Sequence, residues 1–394
     1  MLSRDLMSHD QSGNDLEAQI SIQQGEPQQT KSQALLGIVL AVQANYYWVR
    51  LDTRELDAYE QLPAHGDLTL LCTRRTRLKK MGQQVAVGDR VQVEEVDWAN
   101  GRAAISQVLP RHTELDRPPI ANADQILLVF ALEEPTIDPF QLSRFLVKAE
   151  STEIPVLLCL NKGDLVTATA RQQWRDRLQA WGYDPVIVSL RANLGLDALR
   201  SHLSDRMTVV CGPSGVGKSS LTNYLIPDTT QRVNTVSGKL SRGRHTTRHV
   251  ELFQLPSGGL IADTPGFNQP DLACAPVDLA QYFPEARQRL AVASCQFSNC
   301  LHRDEPNCVV RGEWERYEYY LTFLEEAIVY QTAINRSGDA ESTTKAKNRS
   351  EGQVQTEPML DRKKYRRPSR RTTKQDLRDL YRDVNESAID SESQ

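Results

Sequence analysis

The 394-residue chain lacks any apolar run of the roughly 18 or more residues that a membrane-spanning helix needs. It also lacks a secretory signal: Asp5, Asp10, Asp15 and Glu17 occupy the N-terminal stretch, and no apolar segment follows them. Charge of one sign is missing too. Lys and Arg number 47 and Asp and Glu 51, for a net charge of -4, so any nucleic-acid surface must be local. A disulfide framework is excluded. The cysteines are seven, an odd number, and Cys72, Cys159, Cys211 and Cys274 are scattered. That usage points to a reducing cytoplasm and no membrane.

Apolar residues are scarce at both ends. Residues 1–33 are rich in Gln, Ser, Asp and Glu and read as disordered, as does the charged stretch 337–394. Arg362 to Lys374 carries eight basic residues. That patch is able to contact RNA, and a merely solubilising tail fits it equally.

What is present begins at residue 34. Short β-branched runs (36–42, 46–51, 68–72, 91–96 and 102–105) predict a small closed barrel over 34–112. Thr73 to Lys80 inserts a basic loop, which suits an oligonucleotide-binding barrel. An SH3-like barrel with a solvated loop answers the same pattern. Residues 111–123 read as a linker. The period then changes. Continuous apolar runs at 125–130, 155–160 and 185–188 alternate with helices near 140–149, 169–181 and 196–203, which predicts a parallel, doubly wound sheet. A hairpin is expected from 250–255 and 260–262. From Val277 the chain reads as helical with a cysteine-containing interruption. Its last helix runs from Glu313 to Tyr330, with Tyr317, Tyr320, Leu321 and Leu324 as core.

Gly212-Pro213-Ser214-Gly215-Val216-Gly217-Lys218-Ser219 matches the phosphate-binding pattern GxxxxGK[ST] in full. A strand-like run, 207–211, precedes it, and a helix start follows from Ser220. Glycines let the backbone N–H groups turn toward phosphate oxygens, and the helix N-terminus adds its dipole. Lys218 is placed for the β- and γ-phosphates and Ser219 for Mg²⁺.

Asn161-Lys162-Gly163-Asp164 follows the buried strand ending at Leu160. An ionised Asp only accepts hydrogen bonds, and guanine offers two adjacent donors that Asp164 can accept. Asn161, Lys162 and Gly163 support the base and its loops. Ser189 and Leu190 are placed to touch guanine through backbone groups. Asp263-Thr264-Pro265-Gly266 is placed for Mg²⁺ through Asp263 and for the γ-phosphate through the Gly266 N–H. Thr246 and Thr247 are both candidates to complete the Mg²⁺ site, with Thr247 carried forward as the ligand. Phe267 stands where many GTPases carry a water-orienting Gln, so intrinsic hydrolysis should be slow.

The order of these motifs is unusual. The base motif precedes the phosphate loop, and the Asp-x-x-Gly motif comes last, which is a circular permutation. With Val87-Gly88-Asp89-Arg90-Val91, Gly243-Arg244-His245-Thr246-Thr247 and Asp263 to Phe267, the chain resembles the bacterial small-ribosomal-subunit-dependent GTPases, the RsgA/YjeQ family, over roughly 36–330. The resemblance implies activation by the small subunit. It offers His245 for positioning the attacking water, although a histidine that only packs or contacts RNA fits the same place.

Cys295, Cys300, His302 and Cys308 lie within fourteen residues. Three thiolates and an imidazole suit a closed, structural zinc site, and free buried cysteines are the alternative. The resemblance favours one zinc ion.

The expectation is thus an oligonucleotide-binding barrel at 34–112, a permuted α/β P-loop GTPase domain at 113–272 and a zinc-binding helical domain at 273–336. A monomer of this kind would bind the small (30S) subunit and its ribosomal RNA, and hydrolyse GTP to GDP with Mg²⁺ during late maturation. Two alternatives stand beside it. One is an RNA-binding assembly factor that uses nucleotide only as a conformational ligand. The other is an ATPase or small-molecule kinase, against which Asn161 and Asp164 argue.

Overall fold

A computed structural model describes residues 34–52, 68–116, 119–226, 250–263, 272–337, 344–348 and 354–358. They fall into two compact units. The first holds the residues up to Ala123 and the short strands 252–254 and 260–263, and the second holds the remainder.

In the first unit, β1 (Leu35–Gln43), β2 (Tyr46–Leu51), β3 (Thr69–Arg74), β4 (Arg90–Asp97) and β5 (Arg102–Val108) close a barrel in the order β1-β2-β3-β5-β4. Alternate residues point inward. Val39, Val49, Val91, Val93 and Ile105 have no exposed surface, and Cys72 lies among them.

The basic stretch expected as a loop is partly helical. Thr76–Lys80 forms α1, because Leu78 turns into the barrel core. Arg74 Nη1 donates to the Gln83 carbonyl, and Arg75 pairs with Glu94 and Glu95. Arg77, Lys79 and Lys80 are left on the exposed side.

The stretch expected as a linker is also structured. Glu114–Asp116 (β6) pairs with Pro119–Ala121 (β7). Asp89 is fully buried, and its carboxylate accepts from Arg111 Nε at 2.7 Å, Arg111 Nη2 at 2.9 Å and the Ala86 N–H at 2.7 Å. Asn122 Nδ2 donates to the Gly88 carbonyl at 3.0 Å. These bonds carry the barrel unit past residue 112, because a buried carboxylate needs its cation and donors.

The core of the second unit is parallel. β8 (Gln125–Ala131), β9 (Val156–Asn161), β10 (Val186–Ile187) and β11 (Met207–Cys211) lie in the order β10-β9-β8-β11. Between them run α2 (Pro139–Glu150), α3 (Ala168–Ala180) and α4 (Leu196–Leu203), and α5 (Lys218–Leu225) follows β11. Every residue of β8 is buried, as a strand covered on both faces requires. Asp138 caps α2 by accepting from the Phe140 and Gln141 N–H groups. In the first unit, β12 (Leu252–Gln254) and β13 (Leu260–Asp263) form the expected antiparallel hairpin.

After α6 (Pro284–Val292) the chain is irregular until α7 (Tyr317–Ser337). This C-terminal region shares its core with α2. Val147 packs in one cluster with Leu279, Phe283, Tyr320, Phe323 and Leu324. Arg144 pairs with Glu326 and sits over the Phe323 ring. At the end of α3, Trp181 Nε1 and Arg177 Nε donate to Glu315 at 2.7 and 2.6 Å. Arg316 is fully buried. It pairs with Glu285 through two bonds and lies 4.7 Å from the centre of the Trp181 ring and 4.9 Å from that of Phe283.

In the tail expected to be disordered, β14 (Thr344–Asn348) and β15 (Val354–Pro358) pair as an antiparallel hairpin. Its register sets Lys345 opposite Glu357. The expected disorder of 1–33 and the basic patch 362–374 lie outside the described residues.

Removing one partner of the buried pair strands a charge. Arg316→Ala should cost about 3–5 kcal/mol of unfolding free energy, and Arg316→Met with Glu285→Leu should recover much of it. Urea unfolding followed by tryptophan fluorescence measures both, and an Arg316→Ala protein as stable as the parent would contradict the assignment.

Candidate nucleotide site and metal centre

The strand, loop and helix expected around the glycine motif are present. β11 ends at Cys211, the loop runs from Gly212 to Gly217, and α5 begins at Lys218. Two glycines are required by contact as well as by conformation. A Cβ on Gly212 (φ +136°) would lie 2.1 Å from the Val129 carbonyl oxygen. One on Gly217 (φ +94°) would lie 2.5 Å from Asn161 Nδ2. Lys218 Nζ donates to the Gly212 and Pro213 carbonyls at 2.8 and 2.6 Å. The cation thus lies against the loop that would take phosphate.

The base motif lies at the end of β9. Asn161 is buried. Its Nδ2 donates to the Val216 carbonyl at 2.8 Å, and its Oδ1 accepts from the Lys162 N–H at 2.8 Å. Lys162 takes a left-handed conformation, and Gly163–Leu165 forms one 3-10 turn. The Gly163 N–H donates to the Val188 carbonyl at 3.0 Å, and Arg171 Nη1 donates to the Gly163 carbonyl at 2.7 Å. Ser189 Oγ donates to Asp164 Oδ1 at 2.5 Å, and accepts from the Ala192 N–H at 3.0 Å. That bond holds the Asp164 carboxyl below the usual carboxylate range.

The backbone role expected of Ser189 is separate from this side-chain bond, by which its hydroxyl orients the acidic group. Arg171 went unnoticed in the sequence, because a helix arginine seven residues past Asp164 looks like any solvated charge. The 161–164, 189–190 and 212–219 segments all follow the C-terminal ends of parallel strands, where α/β sheets bind ligands. His245, Thr246, Thr247, Gly266 and the side chain of Asp263 lie outside the described residues.

A second constellation lies between α6 and α7. One ligand atom from each of Cys295, Cys300, His302 and Cys308 falls within 4.8 Å of every other, so the four could hold a metal ion. Cys295 Sγ and Cys308 Sγ are 3.9 Å apart, and His302 Nδ1 is 3.5 and 3.3 Å from them. The loop is firmly built. Glu305 accepts from the Leu301, Arg303 and Asp304 N–H groups at 2.8, 2.9 and 3.1 Å. Burial opposes ionisation of Glu305, but these backbone donors outweigh it and bring its pKa down to about 2. The Tyr317 and Tyr320 hydroxyls donate to the His302 and Leu301 carbonyls. Cys274 is not among the four.

An α/β core with a phosphate loop, and a base motif that precedes it in sequence, define a circularly permuted P-loop GTPase. The comparisons with known proteins agree. A family model described as RsgA GTPase matches residues 108–273. The "Small ribosomal subunit biogenesis GTPase RsgA" of Trichormus variabilis is 62% identical over 360 residues, covering 89% of this chain and 97% of that protein. The protein of the same name from Synechocystis is 53% identical over 357 residues, covering 86% and 94%. Two solved structures are similar at TM-score 0.60. YloQ, "a circularly permuted GTPase", is 30% identical and covers 75% of this chain and 96% of its own. YjeQ from Thermotoga maritima is 28% identical and covers 75% and 99%. The chain belongs to the RsgA GTPase family and is a GTP-hydrolysing enzyme. Among the described residues no helix is long and apolar enough to cross a membrane.

Stripping the metal centre should be local in its first effect. A strong chelator should expose the Cys295, Cys300 and Cys308 thiols to a thiol reagent. Cys72, Cys159 and Cys211, which burial pushes up to about 12, should react only on global unfolding. Mass spectrometry of the labelled peptides checks the order; equal labelling of all six with and without chelator would contradict it.

Proposed function

We propose that this chain binds the small ribosomal subunit late in its maturation and leaves it after hydrolysing GTP to GDP and phosphate. The observation that carries this reading is the Asn161–Val216 bond, which joins a guanine-type motif to a phosphate loop in a chain whose relatives are named for small-subunit biogenesis.

In this reading Asp164 accepts from the guanine ring N–H and amine. Lys162 and Gly163 line the base, and Ser189 and Leu190 close its far side. Gly212, Pro213, Ser214, Gly215, Val216 and Gly217 turn backbone N–H groups to the phosphates, and Lys218, Ser219 and Ser220 complete the cradle. The Ser219 hydroxyl, at the exposed start of α5, and Thr247 would hold Mg²⁺, which when bound neutralises charge on the β- and γ-phosphates. Thr246, Asp263 and Gly266 are assigned to the same end of the nucleotide. His245 orients the water that attacks the γ-phosphorus as the bond to the GDP oxygen breaks. Phe267 cannot do so, which makes the subunit the natural activator.

The four-residue cluster is assigned to zinc. A tetrahedral Zn²⁺ with bonds of about 2.3 Å to sulfur and about 2.0 Å to nitrogen sets edges of about 3.8 Å between sulfurs and about 3.5 Å from sulfur to nitrogen. The measured 3.9, 3.5 and 3.3 Å suit those dimensions. Ribosomal RNA is assigned to the barrel, through Arg77, Lys79 and Lys80, and to the zinc-bearing region. One copy carries both grips, so a monomer suffices. Seven free cysteines suit a reducing cytoplasm.

GTP turnover should rise severalfold or more on adding purified small subunits, and ATP turnover should not. His245→Ala should lose that rise and keep GTP affinity. A flat GTP response with nucleotide still bound would favour an assembly factor that uses nucleotide only as a conformational ligand. Loss of binding in His245→Ala would remove its catalytic assignment.

The Ser189 bond predicts a pH effect. Asp164 must be ionised to accept from guanine. With its pKa depressed, it stays ionised as the pH falls until that lowered value is reached. Ser189→Ala returns Asp164 toward the ordinary carboxylate range, so GDP affinity should fall away at a higher pH than in the parent. Coincident acid limbs in a titration of GDP affinity would contradict this.

A further inference from the structure

The segment between β8 and α2 belongs to none of the recognised motifs, yet two of them hold it. The Leu132 N–H donates to the Asn161 carbonyl at 3.0 Å. The Glu134 carbonyl accepts from the Lys162 ammonium. Pro135 lies beside the phosphate loop: a Cβ built on Gly215 would stand 3.8 Å from Pro135 Cδ. The loop is braced from within. Thr136 Oγ1 donates to Glu133 Oε1 at 2.5 Å, and Ile137 is buried beneath. Glu134, Pro135 and Thr136 are exposed, so packing needs alone do not account for their arrangement.

We propose that Glu133–Thr136 is a positioning element of the nucleotide pocket: the Glu134 carbonyl fixes the Lys162 ammonium, and Pro135 keeps that carbonyl in register with the phosphate loop. The proposal rests on reading 161–164 and 212–219 as the nucleotide site. Its physical reason is entropy. A lysine stem has several rotatable bonds, and freezing them on binding opposes affinity. A carbonyl that anchors the ammonium beforehand removes part of that cost. The neutral carbonyl does this without setting a second negative charge against the phosphates. Lys162 belongs to the base motif, which GDP and GTP share. The loop therefore acts on both nucleotides alike and leaves the chemical step untouched.

A double-mutant cycle tests it. GDP and a non-hydrolysable GTP analogue are titrated against the parent, Pro135→Ala, Lys162→Met and the double variant, with ATP as control. Thr136→Val serves as a second loop variant. Lys162→Met should weaken both guanine nucleotides about tenfold, the size of one lost bond to a charged group. Pro135→Ala should weaken both about threefold, raise KM for GTP and leave kcat unchanged. The double variant should bind no more weakly than Lys162→Met alone, because the loop acts through that lysine. Parent-like affinity in both loop variants, or a double variant weakened by the product of the two effects, overturns the proposal. A parent that shows no preference for guanine over adenine nucleotides overturns the pocket reading itself. The melting temperature of each nucleotide-free variant, expected to equal the parent's, separates positioning from misfolding.

Discussion

The hydrogen bond from Asn161 Nδ2 to the Val216 carbonyl joins the end of β9 to the loop after β11. β8 lies between those strands, so the bond spans the switch point of the sheet. Its donor is buried, and an unpaired amide there would cost about 1–3 kcal/mol. The neighbouring residues are constrained to match. Gly217 has no Cβ because Asn161 Nδ2 occupies that space, and Asn161 Oδ1 holds the Lys162 N–H. Lys162 then reaches the Glu134 carbonyl. Base loop, phosphate loop and the β8–α2 connection form one bonded cluster.

The C-terminal region depends on the same helices. α2 starts just after the connection that holds Lys162, and its Phe140, Arg144 and Val147 pack against α7 and its neighbours. α3 starts just after the base motif, and its far end meets Glu315 and Arg316. Arg316 is fully buried and paired with Glu285, and the Trp181, Tyr183 and Phe283 rings surround the guanidinium. Planar arginine tolerates such surroundings better than lysine would, because its charge is delocalised and weakly hydrated. The expected helical domain is thus continuous in packing with the α/β core.

Elements with a strong local pattern were legible in the sequence. Barrel strands showed alternation, sheet strands showed continuous apolar runs, and α2, α3 and α4 fell within a residue or two of expectation. The glycine loop, the Asn161–Asp164 motif and the cluster of three cysteines and a histidine were legible because each is compact in sequence. Features set by distant partners were not. The 111–123 stretch looked like a linker because its anchor is Asp89 of the barrel, and the basic 73–80 stretch looked like a loop because its one apolar residue, Leu78, gives no period. Ser189 was noticed, but the role of its hydroxyl depends on Asp164, 25 residues earlier.

By itself the sequence determined the chemistry available: which loops carry glycines, where an acceptor carboxylate follows a buried strand, which thiols stand close together, and that the motif order is permuted. Tertiary structure decided which of these meet. A parallel sheet brings the loops at its strand ends together through the hydrogen-bond ladder between strands, and that ladder is indifferent to the order in which the chain visits them. Ser189 therefore finds Asp164, Asn161 finds Val216, and Arg316 finds a cage of rings drawn from both sides of the chain. Each contact needs burial and direction that local spacing does not encode.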